Sequence, residues 1–206
     1  QMAMPLNPTP IGDKYLPPEK GEESRDLVPL DLLLCGQCGN MQTGAIIDPE
    51  VIYGHYLSRP SAVNPTLTGA YKEYAESVVE RNNLGKDDLV VEMGSNDGAF
   101  LNFYKGLGIP VLGVDPAQNL AAAATEIGVE TIATFFSEKV GGEVREKHGP
   151  ASVFIANFVF ANIDDLDDVV KGIRALLADD GVFMCESNYR IDVFQKFLIE
   201  TINHEH

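Results

Sequence analysis

A chain of 206 residues with 45% hydrophobic content is long enough for one full α/β core and a small extra module. Thirty-one acids against fifteen bases leave a net charge of -16, a field that repels phosphate backbones and anionic lipid surfaces, so neither nucleic acid nor membrane is expected as a partner. Arg145 with Lys147 is the exception, a local basic spot. No apolar run approaches the roughly 20 residues that span a bilayer, and no basic-then-apolar leader opens the chain, so a cytoplasmic monomer is expected.

The first segment, residues 1–64, is rich in Pro and Gly, and PTPIGDKYLPPEKGEES reads as extended and loop-rich. It contains Cys35-Gly-Gln-Cys38, two of only three cysteines. Three cysteines make no disulfide framework and fit a reducing compartment. The C-x2-C spacing is that of a zinc knuckle, in which two thiolates on a tight turn grip one tetrahedral ion, but two ligands do not close such a site. The segment therefore reads as a partial zinc-binding-like module. His55 is a conceivable further ligand, set against a packing role beside Tyr53 and Tyr56.

From residue 65 to 206 the pattern becomes regular. Leu67, Ala70, Tyr71, Tyr74, Val78 and Val79 fall at helical spacing, ending at Gly85. Strands are predicted at Leu89–Met93, Val111–Asp115, Glu130–Thr134, Ser152–Ala156 and Val182–Glu186, with helices near 99–107, 117–127, 137–147 and 165–177. Alternation of this kind, with Val- and Ile-rich strands, predicts a doubly wound, mostly parallel, Rossmann-like α/β sheet. Cys185 falls on one of these strands and is expected to be buried packing.

Ligands of such sheets sit outside the carboxyl ends of the strands, and here those ends are polar. The first strand ends in Glu92 and runs through Gly94, Ser95, Asn96, Asp97 and Gly98; the second ends at Asp115-Pro116; the fourth ends at Asn157. Asp115 lies 21 residues after Gly94, about the separation at which an acid reaches both hydroxyls of a ribose. A dinucleotide fingerprint, G-x-G-x-x-G, fits only at Gly94, because Asn96 and Ala99 stand where its other glycines belong. A turn lined by Glu92, Asn96 and Asp97 suits a cation better than a pyrophosphate, which points to S-adenosylmethionine. The plain alternative is that Glu92 and Asp97 cap the next helix while the glycines serve backbone geometry.

Together VVEMGSNDG, LGVDPAQN, ANFVFANIDDL, the upstream CGQCG and the final His204-Glu205-His206 resemble the sugar C-methyltransferases that act on nucleotide-linked deoxy-keto-sugars. The resemblance runs from about Pro5 to His206 and covers only the middle of such proteins, which carry a four-cysteine zinc module, a central methyltransferase domain and a third domain of related fold. It implies a class I S-adenosylmethionine-dependent fold and donor, and zinc held in part by Cys35 and Cys38. It also implies that His206 is the base, supported by Glu205, and that Tyr56 in GHYLSRPS touches the sugar, against the alternative of a packing aromatic. Phe135 and Phe136 match aromatics placed against the adenine, one of the two being expected in the core, and Asn157 offers a donor and an acceptor to the methionine moiety.

The activity so implied is methyl transfer to a carbon next to the ketone of a nucleotide-linked keto-sugar, after a base has made the enolate. Two departures bear on it: Asn203 stands where many members have tyrosine, and Asn162 where histidine is frequent. The competing readings are a methyltransferase for an oxygen or nitrogen of a small molecule, in which the terminal motif plays no part, and a non-catalytic S-adenosylmethionine-binding fragment.

Overall fold

The structure is a computed structural model that describes residues 1–12, 26–57, 65–196, 198, 202 and 204. Glu205 and His206 lie outside the described residues. The chain divides into two compact units, Gln1–Leu57 with Asn188–His206, and Ser58–Ser187. The final stretch, placed with the methyltransferase domain on sequence grounds, thus clusters with the N-terminal segment.

The first unit contains a three-stranded antiparallel sheet, in the order β1 (Met2–Met4), β2 (Leu32–Leu34), β3 (Met41–Thr43), followed by the short helix α1 (Pro49–Tyr53). Asp48 caps α1 by accepting the Glu50 N–H at 3.0 Å, and Pro49 opens it at a position where no N–H is needed. Leu30 and Leu32 form a small apolar cluster with Val193, on helix α7 (Arg190–Gln195), and with Ile202. Segments more than a hundred residues apart in sequence therefore contribute to one core.

The second unit opens with α2 (Pro65–Asn82), which stops where Asn83 turns left-handed at φ 50°. Five strands follow, β4 (Val90–Met93), β5 (Val111–Val114), β6 (Thr131–Ile132), β7 (Ala151–Asn157) and β8 (Leu177–Glu186), all parallel in the order β6-β5-β4-β7-β8. Between them run α3 (Leu101–Gly106), α4 (Gln118–Glu126), α5 (Glu138–His148) and α6 (Leu166–Leu176). The order reverses between β4 and β7, which is where the doubly wound topology opens a crevice. The predicted β6 is cut to two residues because the Thr134 N–H turns back onto the Ile132 carbonyl at 3.0 Å. The predicted β8 starts earlier, at Leu177.

Two apolar layers flank this sheet. On one face Val90, Val153 and Ile155 meet Ala75 and Val78 of α2, Leu101 and Tyr104 of α3 and Ala124 of α4. On the other, Val91, Met93, Phe154 and Ala156 meet Val140 and Val144 of α5 and Val169, Ile173 and Leu176 of α6. Ser137 caps α5 and Asp165 caps α6, each accepting an N–H three residues on. Arg145 donates to the carbonyls of Ala175, Leu176 and Leu177 at 2.8–3.3 Å, satisfying the end of α6, and Lys147 pairs with Glu130 at 2.8 Å. The basic spot read from the sequence is thus engaged within the chain. Cys185 departs from expectation: it is exposed, because β8 is an edge of the described sheet and Cys185 lies near its carboxyl end.

Candidate donor-binding site

Strand parity determines what faces the crevice. Val90 and Glu92 share one face of β4, and the register Val90↔Val153 and Glu92↔Ile155 puts Asn157 one step further along the same face of β7. Glu92 is 4% exposed, and its Oε2 has no hydrogen-bond partner. Burial, and then the charge of Asp115, push its carboxyl well above the usual carboxylate range; the hydrogen bond from Asn157 works the other way. The Oδ1 atom of Asn157 and the Oγ atom of Ser95 are likewise buried without a partner. Three orphaned polar atoms at the switch point of a parallel sheet suit a ligand with its own donors.

The turn after β4 is built from left-handed residues. Gly94 has φ +72°, Asn96 51° and Gly98 +76°. A Cβ at Gly94 would collide with the side chain of Val159, so the turn and the segment after β7 meet only because glycine stands there. Asp115 ties the turn to the next strand, its Oδ2 accepting the Asn96 N–H at 2.8 Å and its Oδ1 the Ala117 N–H at 2.9 Å. Burial raises its carboxyl all the same, with Asp97 adding to the effect. Asp97, also buried, accepts the Ala99 N–H at 3.3 Å. Among the described residues no ion pair involves Glu92 or Asp115. Acids gathered in this way around amide-lined glycine turns favour a cationic ligand over a phosphate.

The two phenylalanines separate. Phe136 is core, its ring 4.8 Å from that of Phe154, whereas Phe135 is half-buried. Pro116 is half-buried beside Asp115. Sequence reasoning missed two aromatics that feel the site acids: Tyr71 and Tyr74 on α2 pack 5.2 and 5.0 Å from Phe100, and their hydroxyls are held above the usual tyrosine range by burial and then, for Tyr71, by Glu92 and Glu186 and, for Tyr74, by Glu186 and Glu92. Glu186 is in register with Asn157. A helical period marks one face of α2 but not what that face covers, so only the fold reveals these groups.

In the first unit, the Cys35-to-Cys38 loop is a tight turn in which the Gly39 N–H donates to the Cys35 carbonyl at 3.0 Å and the Cys35 N–H to the Asn40 carbonyl at 2.8 Å. Amide N–H groups of Cys38 and Gln37 lower the Cys35 thiol, the preparation that a thiolate ligand needs. The two cysteines fit half of a tetrahedral site. Among the described residues, no group of three or more His, Cys, Asp or Glu side chains completes one. Tyr56 is half-buried with its ring 6.3 Å from Tyr53. His204, the first residue of the terminal motif, is 3% exposed, and its Nε2 lies 3.2 Å from the Val28 carbonyl.

The sheet order, crevice and glycine turn together define the class I methyltransferase fold. Two solved structures share it: the plantazolicin methyltransferase BpumL with a pentazolic desmethylPZN analog and SAH (TM-score 0.51, 11% identity, 69% of this chain and 55% of that one), and the same enzyme with a monoazolic analog (TM-score 0.50, 13%, 64% and 52%). Residues 68–200 match the family described as "Methyltransferase domain", and residues 1–53 match "Putative zinc binding domain". The chain belongs to the methyltransferase domain family. It is 38% identical over 198 residues to the C-methyltransferase NovU of Streptomyces niveus, a match that takes in 96% of this chain and 47% of NovU. The chain thus spans about half the length of that curated relative.

Proposed function

We propose that the chain binds S-adenosylmethionine at the carboxyl ends of β4, β5 and β7 and serves the transfer of its methyl group to a carbon next to the ketone of a nucleotide-linked deoxy-keto-sugar. The observation that carries the donor assignment is the set of buried carboxylates, Glu92, Asp97 and Asp115, around the left-handed turn at Gly94 to Gly98. The turn leaves the amides of Ser95 and Asn96 close to the ligand, Asp115 with Pro116 takes the ribose hydroxyls, and Phe135 lies against the base. Asn157 and Glu92 receive the amino-acid end. Each oxygen of Asp115 accepts one amide and retains a further lone pair for a hydroxyl.

The donor supplies an electrophilic methyl group and leaves as a neutral thioether. The acceptor assignment is supported by the 38% identity to a protein named a C-methyltransferase. A carbon nucleophile there requires that a base take the proton next to the ketone; His206, supported by Glu205, is the proposed base, and Tyr56 the proposed contact to the sugar. Cys35 and Cys38 are proposed to supply two of the ligands of a structural zinc ion.

Calorimetric titration with S-adenosylmethionine tests the donor site. The wild-type chain should bind one equivalent, and Asp115→Ala should lose on the order of 1 to 3 kcal/mol, the range for a charged hydrogen-bond partner. A wild-type chain that takes up no donor would falsify the assignment. In a methyl-transfer assay with a nucleotide-linked 4-keto deoxy sugar, His206→Ala should abolish turnover and leave donor binding intact; unchanged turnover would remove the terminal motif from the chemistry.

A further inference from the structure

Tyr104 lies on α3 with no exposed surface. Its ring meets Phe100 edge-on, with centroids 5.3 Å apart and planes at 85°, in the cluster that includes Val90, Val153 and Ile155. Those three side chains share the sheet face of Glu92 and Asn157, so the ring packs on the face that carries these two groups. A buried tyrosine ring is ordinary, but a buried hydroxyl without a partner is not. The Oη atom of Tyr104 has no hydrogen-bond partner, and neither has the Oε2 atom of Glu92.

One of these orphans is an O–H donor and the other, when ionised, is an acceptor alone. After burial itself, Glu92 is the group that acts most on the Tyr104 hydroxyl. Phenylalanine would fill the same apolar position and leave no donor stranded, so packing alone gives no reason for the oxygen. A phenol donating to a carboxylate makes one of the short, strong hydrogen bonds. Such a bond becomes worthwhile once Glu92 carries its charge.

We propose that Tyr104 is a positioning residue of the donor site, its buried hydroxyl donating to Glu92 when a cationic ligand holds that carboxylate ionised. The inference rests on the reading of this crevice as an S-adenosylmethionine site. The groups that bear on Glu92 from the elements around it are Asp115 at the end of β5, Asp97 in the turn, Asn157 on β7, Tyr71 and Tyr74 on α2 and Tyr104 on α3, with Glu186 on β8 acting on the same two α2 tyrosines. None of these is a cation. The countercharge must then come from the ligand, and a donor is needed to orient the carboxylate toward it.

The test is Tyr104→Phe, alone and combined with Glu92→Gln, titrated with S-adenosylmethionine from about pH 5.5 to 8.5, the range over which a raised carboxyl ionises. Affinity of the wild type should rise with pH as Glu92 ionises. Tyr104→Phe should melt no lower than wild type, bind roughly tenfold more weakly near neutral pH, and show its rise displaced to higher pH. In the Glu92→Gln background the same substitution should change nothing further. Equal affinity and an equal pH midpoint in wild type and Tyr104→Phe, or an equal loss in both backgrounds, would overturn the role of Tyr104. A wild type that binds no donor at any pH would overturn the donor reading itself and this inference with it. If Tyr104→Phe fails to fold, the wild type labelled at the tyrosine ring carbon that bears oxygen gives the answer: the Tyr104 resonance should move on adding donor, and a stationary one would sink the proposal.

Discussion

Asp115 combines two duties that pull against each other. Its two oxygens brace the Asn96 and Ala117 amides, which favours the ionised form, while burial and Asp97 disfavour it. Glu92 is the plainer case, buried with one oxygen unpartnered. For both acids the folded protein holds protons that the unfolded chain would already have released. Their contribution to stability is therefore complete below the ordinary carboxylate range and is lost as pH rises toward the raised folded values. Urea unfolding of the wild type and Glu92→Gln between about pH 4.5 and 7.5 should show a loss with rising pH that the variant lacks in part. Asp88, bonded to Ser152, and Glu130, bonded to Lys147, are lowered instead and act in the opposite sense. Only the difference between wild type and variant isolates Glu92; identical slopes would count against the account given of it. At Gly94, Ala should cost several kcal/mol, from about 1 to 2 kcal/mol of left-handed strain plus the collision with Val159. A Gly94→Ala, Val159→Ala double variant should recover the steric part and leave the strain.

Among the elements, α5 and α6 depend on a glycine crossing. A Cβ at Gly141 would strike the Gly172 carbonyl, and one at Gly172 the Ser137 carbonyl, backbone against backbone. Helix propensity alone favours alanine over glycine by about 1 kcal/mol. Driving two packed helices apart costs roughly 1 to 3 kcal/mol or more, so Gly172→Ala should lower the melting temperature in spite of the better helix former. A gain in stability would mean that the crossing is looser than it looks. His204 is the corresponding tie in the first unit. Replacing it with alanine leaves the part-buried Val28 carbonyl with the Thr9 N–H as its remaining partner and removes a buried ring, a loss on the order of 1 to 3 kcal/mol in thermal unfolding.

At this scale the alternation of strands and helices was legible in the sequence because the apolar period changes from two to 3.6 and glycines punctuate the turns. VVEMGSNDG announced its own turn, and the polar strand ends at Asp115 and Asn157 followed from the same reading. Cys185 was misjudged because a strand's period does not say whether a neighbour covers it; that depends on strand order, a property of the whole sheet. Tyr71 and Tyr74 read as helical packing and Tyr104 carries no signal of its own in the sequence; how these three bear on Glu92 depends on how α2 and α3 settle on β4 and β7, a pairing that no local pattern encodes.

For the whole molecule, the division into two units separates the proposed donor crevice from the cysteine knuckle. Every residue of the proposed donor crevice lies within Ser58–Ser187, and the cysteine knuckle lies in the other unit. S-adenosylmethionine at 100 times its dissociation constant should stabilise the second unit by about 2.7 kcal/mol, while a chelator should act only on the first. Differential scanning calorimetry of the metal-loaded chain with each additive checks this. A chelator that abolished donor binding would show that the two units do not act separately.

The joining of Leu30 and Leu32 with Val193 and Ile202 has a consequence for biogenesis. During translation Leu30 and Leu32 emerge before the methyltransferase sheet, yet their apolar cluster is completed only after more than a hundred intervening residues have left the ribosome. The methyltransferase sheet, whose pieces are contiguous, is free to assemble in that interval, so a cluster begun before the sheet is closed only after it.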